Sequence, residues 1–508
     1  MKWIGRLGRT FGAPFLLLVT SIYWTQGFRS LAWMGVSYQM KDQLKLSPSA
    51  SQFVMSTSFL PWSIKPLYGI FSDCVPIFGR RRIPYLVISS VLCFVPWLVL
   101  GAVEWSRSSY IYLTVLLTIQ NFGAAMADVV VDAMVAEMAR KERAEFAGEL
   151  QSMSWLAMAF GGILGSIAGG VALDRLQVSG IFMMFATFPL VQLLSCAFLD
   201  DRKLGNSVGE IAIVESPEEK LEAIDGKTES VEEQGIQDTK SSSPNDVNEA
   251  LDDPESKSLR RRRGSLDRKE VETEEEMREE QNKTSPTIRG ACRSLYQAVK
   301  QPSVFRPMLW FLISQSAVPN LSTIMFYFQT NSVKLDASFL GTSRVVGWGG
   351  LMLGTFLYNH YLKRVSLRKI FRLVHIGLAI LTLSDVVFVS RLNTRMGIPD
   401  KVFVLGASAV GDAVNQFKFM PFLVFSGQIC PPGIEGTLFA LFMSISNLGG
   451  TISSFAGAAL ASALQISSQE FGNLSLGIVI QAACTLLPVL LLGLIPEEAT
   501  GMALTHNS

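Results

Sequence analysis

The 508-residue chain is 49% hydrophobic and only 17% charged, with 44 Lys and Arg against 43 Asp and Glu, a net charge of +1. Such a chain is too apolar for an ordinary soluble domain of its size. Its apolar residues come in solid runs of about 20, the length a helix needs to cross roughly 30 Å of hydrocarbon, and solid runs exclude the alternating strands of a membrane barrel.

The chain therefore reads as an all-α membrane protein with twelve predicted spans, at about 14–40, 51–71, 84–104, 109–138, 149–173, 179–199, 303–330, 338–362, 369–390, 401–428, 435–463 and 473–495. Lys2, Arg6 and Arg9 precede the first run, which continues through Trp24 and Trp33 to Tyr38 without a small-residue cleavage site, so an uncleaved first helix is expected. Arg29 lies near the middle of that helix, in WTQGFRSLAW. A lone midplane arginine costs about 2.5–3.5 kcal/mol on insertion, so it should face a wet cavity or a carboxylate, either binding ligand or completing a structural ion pair.

The second span and the loop after it read FLPWSIKPLYGIFSDCVPIFGRRR from Phe59 to Arg82. Lys65, bracketed by Pro61 and Pro66, either snorkels to the inner surface or contacts ligand, and its depth also suits an ion bridge to Asp128. Asp73 with Arg80, Arg81 and Arg82 follows. With Gly69, Ser72 and Gly79, this order resembles the loop between the second and third helices of major facilitator transporters, where these charges would latch a cytoplasmic gate.

In the fourth span, Asp128 and Asp132 are four residues apart and share a helix face. Two carboxylates so placed suit a proton site or the edge of an amidine-like ligand. The competing reading sets Asp128 at the inner interface, paired with Arg80 or Arg82, because the charge-free run from Ser108 to Ala127 already spans about 30 Å.

Residues 201–300 hold roughly 24 acidic and 17 basic side chains with almost no apolar clusters, the composition of a disordered loop. That loop divides the chain into a bundle over 1–200 and a second over 301–508. Inside it, Arg260 to Arg263 followed by Gly264 and Ser265 resembles a basophilic kinase site, a solvated charge run being the plainer reading.

The tenth span offers Asp412, Asn415 and Gln416 near its middle, with Lys418 just below; Asp412, Asn415 and Phe419 follow helical spacing and form a polar and aromatic stripe. Glu435 opens the eleventh span, where a helix N-terminus accounts for a carboxylate. Ser444 and Asn447 lie further along as polar contacts or packing groups.

The two bundles echo one another. GGILGSIAGG from Gly161 aligns with GGTISSFAGA from Gly449, and DVVVDAM from Asp128 can be set against DAVNQFK from Asp412, as a parallel repeat of six helices predicts. Leaving out the central loop, roughly 14 Lys and Arg fall on one side against about 8 on the other, which places both termini in the cytoplasm. The six cysteines and three histidines are dispersed, no catalytic or metal-binding spacing occurs, and neither an enzyme nor a bound cofactor or metal is expected.

PWSIKPLYGIFSD with PIFGRRRIPYL, DVVVDAMVAE in the fourth span and GIEGTLFALFMSISNLG in the eleventh together resemble the folate-biopterin transporter family of the major facilitator superfamily, over all the spans. The resemblance implies a secondary transporter of folates or pterins working by alternating access, often as a proton symporter. Asp128, Asp132 and Asp412, with Asn415, become candidate head-group or proton ligands, since a carboxylate can accept two parallel hydrogen bonds from a pterin edge. Arg29, Lys65 and Lys418 become candidates for a folate's acidic tail. The expected partners are the small-molecule substrate, protons and the lipid bilayer, with no nucleic acid, and the expected state is a monomer in the plasma membrane, vacuole or plastid envelope. A facilitator for another organic anion or metabolite, and a non-transporting receptor or scaffold, are the alternatives.

Overall fold

The computed structural model describes residues 7–8, 10–80, 82–141, 144–197, 288–429 and 435–497. Arg81, Ser265 and the expected loop as far as residue 287 lie outside that set. The end of the expected loop differs from expectation: Ile288–Lys300 is a helix, because Leu295, Ala298 and Val299 share one face and pack into an apolar core.

Among the described residues, six helices are long and apolar enough to cross a bilayer: Ile83–Ala102, Tyr110–Val135, Met153–Arg175, Val178–Cys196, Leu367–Val389 and Leu474–Leu494. They coincide with the predicted third to sixth, ninth and twelfth spans. The eighth, tenth and eleventh are helical over Ala337–Leu357, Asp400–Ile429 and Glu435–Ala463. The first, second and seventh are helical but interrupted.

The interruptions have identifiable causes. The first span turns at Arg29, between Ala13–Phe28 and Ser30–Tyr38. The second is Pro48–Phe59 and Lys65–Cys74, joined by a tighter turn over Leu60–Ile64 that carries Pro61. Pro66 has no N–H to offer the carbonyl four residues back, so Trp62 O is released and accepts from Asn447 Nδ2 at 3.2 Å. The seventh runs over Pro302–Ser316 and Ser322–Tyr327, with Pro319 in the gap. Its freed Val318 carbonyl accepts from Ser453 Oγ, and Asn320 N donates to Ser453 O at 3.0 Å. Both broken spans thus give backbone groups to the eleventh.

Local geometry repeats between the halves of the sequence. The first and seventh spans each end in a wide turn, over Gln39–Gln43 and Phe328–Ser332. Each then passes through a lysine with positive φ, Lys45 at 50° and Lys334 at 59°. Leu46 N reaches back to Met40 O, and Leu335 N to Gln329 O, both at 3.0 Å. The aligned glycines also pack alike: a Cβ on Gly161 would lie 2.4 Å from Trp24 O of the first span, and one on Gly449 would lie 2.7 Å from Gln315 Cβ of the seventh. Close backbone approach is what these small residues permit.

Among the described residues, three apolar clusters hold the helices. Trp97, Phe182 and Phe185 centre one on the third and sixth spans, and Trp310, Phe371 and Phe442 centre another on the seventh, ninth and eleventh. A third joins Ile324, Phe388 and Ile478 of the seventh, ninth and twelfth spans.

Candidate functional site

The breaks at Arg29 and Lys65 put two cations against one aromatic ring. Trp62, in the turn of the second span, has the Arg29 guanidinium 4.9 Å from its centroid and Lys65 Nζ 4.8 Å from it. Its indole N–H donates to Asn121 Oδ1 at 2.9 Å, which fixes the ring. Lys65 Nζ donates to Asp128 Oδ2, and both side chains are largely enclosed. Lys65 therefore does not snorkel: the turn at Leu60–Ile64 aims it at the fourth span. Arg29 has the rings of Trp62 and Phe59 beside it, and its enclosed Nη1 has no hydrogen-bond partner among the described residues.

Asp132 lies one turn beyond Asp128. The Tyr23 hydroxyl donates to its Oδ1, and the residue keeps an exposed edge. Asp128 and Asp132 share a face, but each has its own partner from a different helix.

The alternative pairing of Asp128 with Arg80 or Arg82 is corrected by the loop geometry. Phe78 and Gly79 both have positive φ, 52° and 73°, and Ile77 and Arg80 exchange backbone hydrogen bonds at 2.9 and 3.0 Å, which makes a tight reversal. The reversal returns Arg82 to its own neighbourhood, where Nη1 meets Asp73 Oδ1 at 2.7 Å and Ser72 Oγ at 2.9 Å.

The second polar group lies among the seventh, eighth, tenth and eleventh spans. A cavity of ≈ 290 Å³ there is lined by Gln315, Asp412, Asn415, Lys418 and the rings of Phe311, Phe419 and Phe422. Lys418 Nζ donates to Gln315 Oε1 at 2.8 Å and Ser314 O at 3.3 Å, both uncharged. Asp412 crowds Gly347 of the eighth span, where a Cβ would lie 2.2 Å from its Oδ2, and Arg344, one turn earlier, interacts with its charge.

One end of the assembly is cross-bridged between residues 13–197 and 302–495. Ser51 Oγ and Tyr327 OH are 2.7 Å apart, and Tyr327 OH donates to Leu46 O at 3.0 Å. Gln52 Nε2 donates to Asn320 O and to Ser454 O, and Lys41 Nζ meets Asn331 Oδ1 at 3.2 Å. Among the described residues, no group of three His, Cys, Asp or Glu could hold a metal ion.

Tyr23, Trp62, Asn121, Gln315 and Arg344 were not among the residues read from the sequence. Trp62 had a signal in the prolines around it. Arg344 had one too, as a charge inside an apolar span.

Interrupted helices that bring buried charges together between apolar spans define a polytopic transporter, and the fold is that of major facilitator proteins. The structure superposes on that of a D-xylose–proton symporter with a TM-score of 0.61 and 14% identity, covering 97% of this chain and 100% of that one. Residues 26–507 match the BT1 family, and the chain belongs to it. It is 52% identical over 510 residues to the probable folate-biopterin transporter 4 of Arabidopsis thaliana, covering 99% of both chains. It is 32% identical to the folate-biopterin transporter of Synechocystis sp., covering 95% of this chain and 81% of that one.

Proposed function

We propose that this protein moves folates or pterins across a membrane by alternating access, coupled to protons, as a monomer with both termini and the central loop on the cytoplasmic side. Residues 1–200 rock against 301–508 around a site between Arg29, Asp132 and Lys418. The names of its relatives support the substrate class. The observation that carries the reading in this chain is the distribution of charge partners. Lys65 is neutralised by Asp128 in direct contact, whereas Arg29 lies against the rings of Trp62 and Phe59 and Lys418 donates to an amide and a carbonyl.

Two cations whose direct contacts are uncharged, one on each side, with Asp128 acting on Arg29 only from beyond ion-pair distance, suit an anion such as a folate's glutamate tail. The rings beside them suit a flat heterocycle, and the exposed edge of Asp132 and the cavity-lining Asp412 suit its amide and amino groups. The cross-bridges at Ser51, Gln52 and Tyr327 would close the outer side, and Asp73 with Arg80, Arg81 and Arg82 would latch the inner one. Asp132, whose hydrogen-bond partner among the described residues is the Tyr23 hydroxyl, is the candidate proton carrier.

The test is uptake of labelled folate and of an uncharged pterin by proteoliposomes holding the purified protein, with other organic anions as competitors. Arg29→Gln and Lys418→Gln should lower folate uptake more than pterin uptake. Equal loss of both, or none, would remove these two residues from tail recognition.

A further inference from the structure

The helix Ile288–Lys300 is joined to the seventh span through a single residue, Gln301. Gln301 N bonds to Ala298 O at 3.1 Å, and Gln301 O accepts from Val304 N at 3.0 Å and Phe305 N at 2.8 Å, so the joint is a fixed corner and not a tether. A helix fixed to the mouth of a membrane span at one residue's distance is held at the bilayer surface.

Its circumference is sorted by chemistry. Leu295, Ala298 and Val299 dock on a cluster that includes Leu362, Leu367 and Phe371. At 100° per residue, Cys292 and Tyr296 come next around the helix, both exposed, Tyr296 by 68%. Arg289, Lys300 and Arg293 follow within the next quarter turn, and all three are exposed.

The neighbouring turn continues the charge with exposed Lys363, Arg364 and Lys369. Neither 289–335 nor 360–384 contains an Asp or Glu, and Glu497 lies 3.6 Å from Arg368. An exposed aromatic ring between a docked apolar face and a row of cations is the pattern of a helix lying in a membrane interface.

We propose that Arg289, Arg293 and Lys300 bind the headgroups of anionic phospholipids, with Tyr296 seated at the boundary between headgroups and acyl chains. The partner is a lipid and not an acidic polypeptide because the exposed apolar flank lies beside the cations, at the depth where lipid offers both chemistries.

The test is the phosphatidylserine and phosphatidylcholine retained by the full-length protein after purification from mixed vesicles, measured by mass spectrometry. The natural protein should keep phosphatidylserine in preference, and Arg289→Gln/Arg293→Gln/Lys300→Gln should reduce that excess roughly tenfold or more, since each cation contributes about 1 kcal/mol at a charged surface. High salt should erode the excess in the unaltered protein, a result that does not depend on the folding of the variant. Equal retention of both lipids by the natural protein, or a salt-insensitive excess that survives the triple substitution, would overturn the proposal. A preference seen only after residues 202–287 are removed would overturn it in favour of that segment as the occupant.

Discussion

Lys65 of the second span and Asp128 of the fourth form an ion pair with side-chain exposures of only 7% and 10%. Removing one partner leaves a buried charge with its main compensation gone, which costs about 3–5 kcal/mol, whereas replacing both with apolar groups costs far less. Lys65→Met and Asp128→Leu should each lower the thermal stability of the detergent-solubilised protein, and the double variant should recover most of the loss. A double variant as unstable as the sum of the singles would show that the two side chains act independently.

Trp62 has two cations against one ring, and cation–π contacts contribute about 0.5–2 kcal/mol each. Trp62→Leu abolishes both and should reduce uptake strongly. Trp62→Phe keeps a ring and gives up the hydrogen bond to Asn121, so its loss should be smaller. The order of the initial uptake rates checks this.

The Tyr327 hydroxyl ties the seventh span to Ser51 and Leu46. Tyr327→Phe removes both hydrogen bonds, at about 1 kcal/mol net for each, and so shifts the balance toward the state open at that end by roughly five- to thirtyfold. Spin labels on the loops at Lys45 and Lys334 should report a longer mean separation in the variant. An unchanged distance distribution would mean that these hydrogen bonds do not hold the end closed.

Glycines differ sharply in what they tolerate. A Cβ at Gly27 would lie 1.9 Å from Met158 O, a backbone atom of the fifth span, whereas one at Gly450 meets nothing within 4 Å. Gly27→Ala should sharply reduce the yield of folded protein. Gly450→Ala should be neutral or stabilising by up to about 1 kcal/mol, since alanine is the better helix former. Size-exclusion profiles of the two variants separate these outcomes.

The fold was largely legible because hydrocarbon imposes long apolar runs, and Gly161 and Gly449 were readable as repeat positions because close packing demands small residues. The charges at Arg29, Lys65, Asp128 and Asp412 stood out for the same reason: an apolar span makes any charge conspicuous. Their partners did not stand out. Tyr23, Asn121 and Gln315 are ordinary in composition and become specific only through contacts between helices distant in sequence. The reversal at Phe78 and Gly79, which sends Arg82 to Asp73 and away from Asp128, depends on positive φ at a phenylalanine, a conformation that residue type does not announce. The helix Ile288–Lys300 was hidden by its place at the end of a highly charged segment, since average composition masks one short amphipathic face.

The most direct test of the central claim is the initial rate of folate uptake into proteoliposomes under an imposed inward proton gradient, with and without excess unlabelled pterin. Uptake should be saturable, rise with the gradient, be competed by pterin and fall in Arg29→Gln and Lys418→Gln. Flux no greater than that of empty vesicles, from protein that remains monodisperse and folded, would contradict it.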